Sequence, residues 1–433
     1  MPRAIITVDL GYGDSGKGTV VDALVRKFNA GLVVRFNGGA QCGHNVVTDE
    51  GMHHEFSQVG SGTFAGAKTL LSKHVLVNPL DMMLEAAALQ SKLGVNPILQ
   101  KMFVDNRALV TTPYHVALNR IREMARTKRN GSCGRGIRET VVYAENNPLS
   151  TVHVGDLTDY EKLHSKLAIM SIKTHYAALE VAPNPTPEMM PLFDLFKQDV
   201  RALTRRFQIA STQFNIVSPE RAAEMMLKEH YLIFEAAQGV LLDQHHGFRP
   251  HITKSSCTNV NALDILNEVG FTGEKFTLGI ARTYMTKHGA GPFPTEDEDL
   301  TEQLPDPFNV YNDWQQNFRV GYLDIVALKY AVECTDGIDG LAVTHVDVAE
   351  RFPTWKSAIH YQRPDFSTYT LRKLDGSRDK QEAMTREMMQ VKCNSVYVGG
   401  KQVPSFMAAA LGAPLILTSA GMMPKHKRFL NNL

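Results

Sequence analysis

The sequence is poor in cysteine, in long hydrophobic runs and in net charge. Five cysteines stand singly along its 433 residues: Cys42, Cys133, Cys257, Cys334 and Cys393. An odd number without a C-x-x-C pair matches neither a disulfide framework nor a zinc site. We therefore expect reduced thiols and a cytoplasmic location.

The absence of charge bias and of apolar runs excludes several classes of partner. Lys plus Arg number 46 and Asp plus Glu number 45, so a formal charge of +1 provides no global field for nucleic acid or an anionic membrane. No stretch approaches the roughly 20 apolar residues of a membrane helix, and the N-terminus lacks the long apolar core of a signal peptide. Any phosphate binding must be local.

Short β-branched runs alternate with helix-period segments. The predicted strands are 4–10, 32–36, 231–234, 276–281, 341–346 and 415–418, and the clearest predicted helices are 81–93, 114–126 and 323–332. This alternation predicts an α/β fold with a largely parallel central sheet flanked by helices. With 43% hydrophobic residues, we expect one large domain over residues 1–433.

Two stretches interrupt the alternation. Residues 156–228 are mostly helical in pattern, and we expect a helical insertion that covers the sheet. Residues 295–319 are acidic at first and carry two prolines, which predicts a long surface loop that contributes to the substrate site.

The first strand leads into a glycine-rich loop, GYGDSGKGT, and a helical pattern follows. The spacing matches GxxxxGK, in which backbone N–H groups turn toward a phosphate and Lys17 supplies a charge. Gly18 stands where the usual loop has a Ser or Thr that holds magnesium, which makes Asp14 the candidate ligand. The alternative is a glycine turn that only caps a helix.

A second glycine loop, NGGAQCGHN, follows the next strand. His44 in this loop can donate a hydrogen bond to a phosphate oxygen, or it can be a turn histidine bonded to the backbone. Two such loops on adjacent strands favour the functional interpretation. An ordinary P-loop hydrolase has one.

Eight segments in order resemble the adenylosuccinate synthetase family. YGDSGKG is similar to the family's WGDEGKG, GGAQCGHN to GHNAGHT, and PYHVALNRIREMAR to the helix before its nucleotide loop. GSCGRGI (131–137) resembles GTTGRGI, FEAAQGVLLDQHHG (234–247) resembles FEGAQGTLLDIDHG, and GAGPFPTE (289–296) is identical to the family form. GYLDIVAL and THVD (344–347) follow in the expected order.

The resemblance implies a two-step ligation on a purine monophosphate. GTP phosphorylates the purine 6-oxygen with Mg²⁺ present, and an amine, aspartate in the family, then displaces that phosphate. Asp14 corresponds to the base and magnesium ligand, Gly43 to a carbonyl ligand of magnesium, and His44 to the group that steadies the phosphoryl charge. Gln238 corresponds to the amide that orients the purine. The family also implies a homodimer.

The remaining contacts are implied by position in the same motifs. The implied triphosphate contacts are Gly13, Ser15, Gly16, Lys17, Gly18, Asn45, Asp347, Ser419 and Gly421, with Asp347 as the carboxylate that recognises guanine. The implied contacts to purine monophosphate and amino acid are Gln41, Ser132, Cys133, Leu242, Thr253, His288 and Arg319.

Departures from the family concern the amine donor and the triphosphate. Where the family has TTGRRRRTG, this chain has DWQQNFRVG, so only Arg319 remains of the arginines that clamp aspartate. Ser15 replaces a Glu and Cys133 a Thr. His345 replaces a lysine beside Asp347, which leaves ATP open as the phosphoryl donor.

Three alternatives stay open. Viral relatives act on dGMP, although their catalytic Asp is replaced whereas Asp14 is present here. A nucleotide-binding paralog without ligase activity fits the lost arginines but not the retained Asp14, Lys17 and His44. A P-loop nucleotide kinase is disfavoured by Gly18 and by the second glycine loop.

Overall fold

A ten-stranded sheet forms the centre of the computed structural model, which describes residues 1–93, 98–127, 131–306, 308–309, 314 and 318–431. The described residues contain twenty strands, and ten of them form this sheet. In chain order the strands are β1 (Arg3–Asp9), β2 (Leu32–Arg35), β3 (His44–Val47), β4 (His53–Phe56), β5 (Lys68–Leu71), β6 (Leu76–Val77), β7 (Met102–Asp105), β8 (Leu109–Val110), β9 (Asn215–Val217), β10 (Tyr231–Glu235), β11 (Glu274–Arg282), β12 (Met285–His288), β13 (Phe318–Gly321), β14 (Leu323–Asp324), β15 (Gly340–Thr344), β16 (Thr354–Gln362), β17 (Thr368–Tyr369), β18 (Lys392–Gly399), β19 (Leu415–Ser419) and β20 (Lys427–Phe429).

Helices connect and cover these strands. They are α1 (Lys17–Phe28), α2 (Pro79–Leu93), α3 (Pro113–Met124), α4 (Ile137–Asn146), α5 (Tyr160–Val181), α6 (Met190–Leu195), α7 (Val200–Ser211), α8 (Pro219–Leu227), α9 (Val260–Glu268), α10 (Glu298–Gln303), α11 (Ile325–Cys334), α12 (Val346–Glu350), α13 (Arg378–Met388) and α14 (Val403–Leu411). Among the described residues, no helix has the length and apolarity to cross a membrane.

The strand order of the central sheet is β20-β19-β15-β11-β1-β10-β2-β5-β7-β9. Every pairing is parallel except that of β20 with β19. The predicted α/β class with a mostly parallel sheet is confirmed. The expectation that the two glycine loops follow adjacent strands is wrong, because β10 lies between β1 and β2.

Both faces of the sheet are buried, as parallel sheets require. Along β1, Ile5 packs with α1 on one face, whereas Ala4, Ile6 and Val8 belong to the core on the other. Because both faces are covered, the strand carries apolar residues on both sides and shows no alternation of apolar and polar residues from Ala4 to Ile6.

The two interrupting stretches contain more regular structure than their patterns suggest. Residues 156–228 form α5 to α8, but they also contribute β9, which pairs with β7 at the sheet edge. Residues 295–319 include the short helix α10 and the start of β13, so they are not one continuous loop. Residues 307, 310–313 and 315–317 of that stretch lie outside the described residues.

Phe207 tests the core formed by the helices around β5 and β7. Its ring on α7 is fully buried, whereas Ile209 on the same helix is 62% exposed. Phe207→Ala should lower the free energy of unfolding by about 3–5 kcal/mol, and Ile209→Ala by less than about 0.5 kcal/mol. Urea denaturation of both variants measures this, and equal losses would contradict the packing described.

Candidate active site

The first glycine loop joins β1 to α1 and is organised by a buried carboxylate. Asp9, the last residue of β1, accepts hydrogen bonds from the Gly11 N–H (2.8 Å), the Ser15 N–H (3.0 Å) and the Ser15 hydroxyl (2.9 Å). Asp9 Oδ2, the oxygen that accepts from the Ser15 N–H, also contacts the Lys17 ammonium at 2.7 Å, and both side chains are buried. The sequence analysis missed Asp9 and assigned the charge of Lys17 to a phosphate alone.

Asp14 projects from the same loop in a left-handed backbone conformation, with φ of 58°. Its carboxylate lies 3.2 Å from His288 Nε2, and the Arg282 guanidinium donates to its carbonyl oxygen. Burial raises the pKa of Asp14, but the His288 hydrogen bond and the charges of Arg282 and Lys17 outweigh it and hold the pKa well below its usual range. Asp14 is therefore ionised at neutral pH.

His44, from the second glycine loop, is held by a glutamate at the end of β10. Its Nδ1 lies 2.5 Å from Glu235 Oε1, and Glu235 also accepts from the Ser61 N–H at 3.0 Å. Burial raises the pKa of Glu235, but Arg35, His44 and Ser61 outweigh it and lower the pKa to about 2. Since Glu235 fixes Nδ1, the other ring nitrogen, Nε2, is left for a ligand.

The loops touch so closely that glycine is needed at the contacts. A Cβ on Gly18 would lie 2.8 Å from His44 Cβ, which explains why the usual Ser or Thr is absent at this position. A Cβ on Gly239, in the loop after β10, would lie 2.2 Å from the carbonyl oxygen of Gly11. The third loop thereby presents Gln238, at φ of 57°, beside the first.

Two amides in these loops are buried without partners among the described residues. Both polar atoms of the Gln41 amide and Oε1 of Gln238 make no hydrogen bond, and the Gln238 NH₂ reaches only Cys42 Sγ at 3.6 Å. Buried polar groups are nearly always hydrogen-bonded. These amides fit a polar, planar ligand such as a purine base.

A fourth loop, residues 131–136, precedes α4. The Ser132 hydroxyl exchanges hydrogen bonds with Asn119, and burial raises the pKa of the neighbouring Cys133 thiol. The Thr253 N–H donates to the Leu242 carbonyl at 2.8 Å in the segment after β10. Two regions of the predicted monophosphate site are therefore each ordered by their own hydrogen bonds.

The predicted base-recognition residues lie at the ends of β15 and β19. Asp347, on α12, pairs with Arg351 at 3.1 Å, and the Ser419 hydroxyl donates to the Gly421 carbonyl. Lys427, which the sequence analysis missed, donates to the same carbonyl at 2.7 Å. Burial lowers the pKa of Lys427 to about 8, although Asp347 and two other acids oppose the shift.

The antiparallel pair of β12 and β13 places Lys287 directly opposite Arg319. The Arg319 guanidinium forks onto the Glu296 carboxylate and donates to the carbonyls of Gly289 and Gly291. Lys287 lies over the Tyr12 ring without a carboxylate partner among the described residues. Arg319, which the resemblance predicts to bind a carboxylate of the amine donor, is thus already paired with the carboxylate of Glu296.

The described residues alone supply too few side-chain ligands for a magnesium ion, which would need water and the phosphate oxygens of the bound nucleotide as further ligands. Within the described residues, no group of three or more His, Cys, Asp or Glu side chains could hold a metal ion. Asp14 and the Gly43 carbonyl are oxygen donors of the type magnesium prefers, and it commonly keeps water and phosphate oxygens as its other ligands. Glu55, whose Oε1 would lie 2.3 Å from a Cβ on Gly43, adds a nearby carboxylate.

Comparison with known proteins decides the family. The adenylosuccinate synthetase family model matches residues 6–399. The chain belongs to the adenylosuccinate synthetase family. Its relatives include the adenylosuccinate synthetase of Thioalkalivibrio sulfidiphilus, 32% identical over 84% of this chain and 82% of that protein, and that of Photobacterium profundum, 29% identical over 97% and 96%. This chain is therefore a ligase of the adenylosuccinate synthetase family.

Two solved structures share the fold. Fully ligated adenylosuccinate synthetase from Plasmodium falciparum superposes with a TM-score of 0.78 at 20% identity, covering 99% of this chain and 100% of that one. Cyanophage S-2L succinoaminodeoxyadenylate synthetase, bound to dGMP and to dATP as an energy donor, gives 0.61 at 14% identity, covering 99% and 95%. The adenylosuccinate synthetase fold thus extends over essentially the whole chain.

Lys287 gives a test of the site's electrostatics. Burial lowers the pKa of Lys287 from 10.5 to about 7, and the charge of Arg319 adds to the shift. Between about pH 7 and 10 the unfolded chain binds the proton that the folded chain has lost, so this group makes stability rise with pH. Lys287→Met should abolish that rise, worth about 1 kcal/mol or more.

The measurement is urea denaturation at pH 7 and pH 9.5. Lys356 provides a matched control, because it also lies over a tyrosine ring, that of Tyr322, but is only partly buried. Lys356→Met should keep the wild-type pH dependence. A Lys287→Met variant with that same dependence would show that Lys287 is not a destabilising buried cation.

Proposed function

We propose that this chain catalyses the GTP-dependent ligation of L-aspartate to C6 of IMP through a 6-phosphoryl intermediate. The single observation that carries the proposal is the close contact, at Gly18 and His44, of two glycine loops that carry an ionised Asp14 and a His44 fixed by Glu235. Membership of the adenylosuccinate synthetase family supports the same reaction, since the family uses GTP and Mg²⁺.

In the first step, the Asp14 carboxylate accepts the N1 proton of the purine. The electron pair released shifts to the 6-oxygen, which attacks the γ-phosphorus of GTP as the bond to the β-phosphate oxygen breaks. In this step His44 acts as an imidazolium: its Nδ1–H donates to the Glu235 carboxylate and its Nε2–H donates to the transferring phosphoryl group. The negative charge of the phosphates offsets the burial that lowers the pKa of His44. Lys17 and the N–H groups of the loop stabilise the phosphates.

Asp14 and the Gly43 carbonyl hold magnesium in this proposal, with Glu55 close enough to contribute. The bound ion supplies positive charge to the phosphates of the donor nucleotide. Asp347 accepts from the N1–H and 2-amino group of guanine, which favours GTP over ATP. Its carboxylate lies 3.1 Å from the Arg351 guanidinium.

In the second step, the amino group of aspartate attacks C6, and phosphate leaves with the 6-oxygen. The unpartnered amides of Gln41 and Gln238 orient the base for this attack. Ser132, Cys133 and Thr253 bind the 5′-phosphate. Arg319 receives a carboxylate of the donor by exchanging Glu296 for it.

A second candidate substrate is dGMP. Its 2-amino group is a hydrogen-bond donor, and the buried amide oxygens of Gln41 and Gln238 are acceptors without partners. The cyanophage protein that shares the fold was solved with dGMP. The test is to incubate the protein with IMP or dGMP, with GTP or ATP, and with a panel of amino acids. Mass spectrometry of the nucleotide products then shows which of the two purine monophosphates is the substrate. If no new nucleotide forms from either IMP or dGMP, the result would support a nucleotide-binding paralog without ligase activity.

The homodimer and the cytoplasmic location stay predictions. Light scattering on the purified protein measures the mass of the assembly.

Loss of the Asp14 carboxylate or of the His44 imidazole should strongly lower turnover. Asp14→Asn removes the proton acceptor but keeps its size, and His44→Ala removes the phosphoryl contact, so each should lower kcat about 10²-fold or more. His74→Ala is the matched control, because His74 also pairs with a carboxylate, that of Asp264, but at the surface. Near wild-type turnover by Asp14→Asn would refute the proposed mechanism.

Arg319 should decide the affinity for aspartate. Losing one charged hydrogen bond to a carboxylate costs about 1.5–3 kcal/mol, so Arg319→Ala should raise KM for aspartate about ten- to a hundredfold. Arg363→Ala serves as control, since Arg363 likewise pairs with a glutamate and lies over an aromatic ring. Aspartate titration at saturating GTP and purine is the assay, and tight use of aspartate without Arg319 would contradict this assignment.

A further inference from the structure

Asp9 has no assigned role, yet four donors converge on its carboxylate. The N–H groups of Gly11 and Ser15, the Ser15 hydroxyl and the Lys17 ammonium all lie within 3.0 Å of it. Asp9 is completely buried, and Lys17 is 4% exposed. The internal carboxylate therefore receives the kinds of group that a phosphate loop directs at its ligand.

The loop composition supports a specific role for this carboxylate. The family form WGDEGKG carries a glutamate where this chain has Ser15, and the hydroxyl of Ser15 donates to Asp9. In this chain the carboxylate beside Lys17 is that of Asp9, at the end of β1. A buried carboxylate with four donors is well compensated, so it is held in place.

We propose that Asp9 is a positioning residue that holds the Lys17 ammonium in place and competes with the phosphoryl donor for its charge. The proposal rests on the proposed function, in which this loop binds the triphosphate. An ammonium has three N–H donors, so Lys17 can bond Asp9 and a phosphate oxygen together. The negative charge of Asp9 then weakens triphosphate binding, while the fixed ammonium favours phosphoryl transfer.

The test separates binding from turnover. Asp9→Asn keeps the shape and an acceptor oxygen but removes the charge, so Kd for the non-hydrolysable analogue guanosine 5′-(β,γ-imido)triphosphate with Mg²⁺ should fall at least about fivefold. At the same time kcat should fall about tenfold, because Lys17 is no longer held. A residue that only stabilises the fold would not lower Kd. Asp9→Ser, also neutral, repeats the measurement if Asp9→Asn does not fold.

Asp105 provides a matched control on the same sheet. It is also the last residue of a strand, β7, is 3% exposed, accepts from the N–H of Arg107 and pairs with its guanidinium at 2.7 Å. Asp105→Asn should lower the melting temperature, as Asp9→Asn does, but leave Kd and kcat unchanged. It lies four strands away from β1.

The outcomes distinguish this inference from the proposed function. Wild-type binding of the triphosphate with an unchanged or raised Kd in Asp9→Asn would overturn the role of Asp9 alone. A wild-type protein that binds no triphosphate would overturn the proposed function and this inference together. Tighter binding with slower turnover in Asp9→Asn, absent from Asp105→Asn, supports it.

Discussion

Close contact between loops at the carboxyl ends of β1, β10 and β2 is the constraint on which the site depends. Gly18 admits the His44 side chain, and Gly239 admits the backbone of Gly11. A side chain at either point would clash with the neighbouring loop and push the loops apart. The glycines therefore do more than provide flexible backbone, because they set the distance between the loops that carry Asp14 and His44.

Buried carboxylates then fix the side chains that the loops bring together. Asp9 and Glu235 are each the last residue of a mostly apolar strand; Asp9 holds the ammonium of Lys17 and Glu235 holds the imidazole of His44. In a low-dielectric setting such pairs are strong when fully hydrogen-bonded and costly when broken. The site thus combines closely packed glycine loops with side chains that buried carboxylates hold in fixed positions.

The sequence allowed the class of fold and the glycine loops to be predicted, because short β-branched runs, helix-period segments and loop spacing are local signals. It did not reveal Glu235 as the partner of His44, since 191 positions separate them. It also misplaced the loops on adjacent strands, because nothing local shows that β10 inserts between β1 and β2. An acidic residue ending a buried strand was the available signal for both Asp9 and Glu235.

The position of β10 also affects how the chain is made. β2, β5 and β7 are consecutive neighbours, so the first quarter of the chain can form a small sheet by itself. β1 cannot join it, because its partners are β10 and β11, and 227 positions separate Thr7 from the Phe234 carbonyl it bonds. At ribosomal speeds of about 5–20 residues per second, the N-terminal strand waits roughly ten seconds or more. During synthesis the N-terminal strand is therefore unpaired, and its backbone N–H and C=O groups are open to other partners until β10 and β11 emerge.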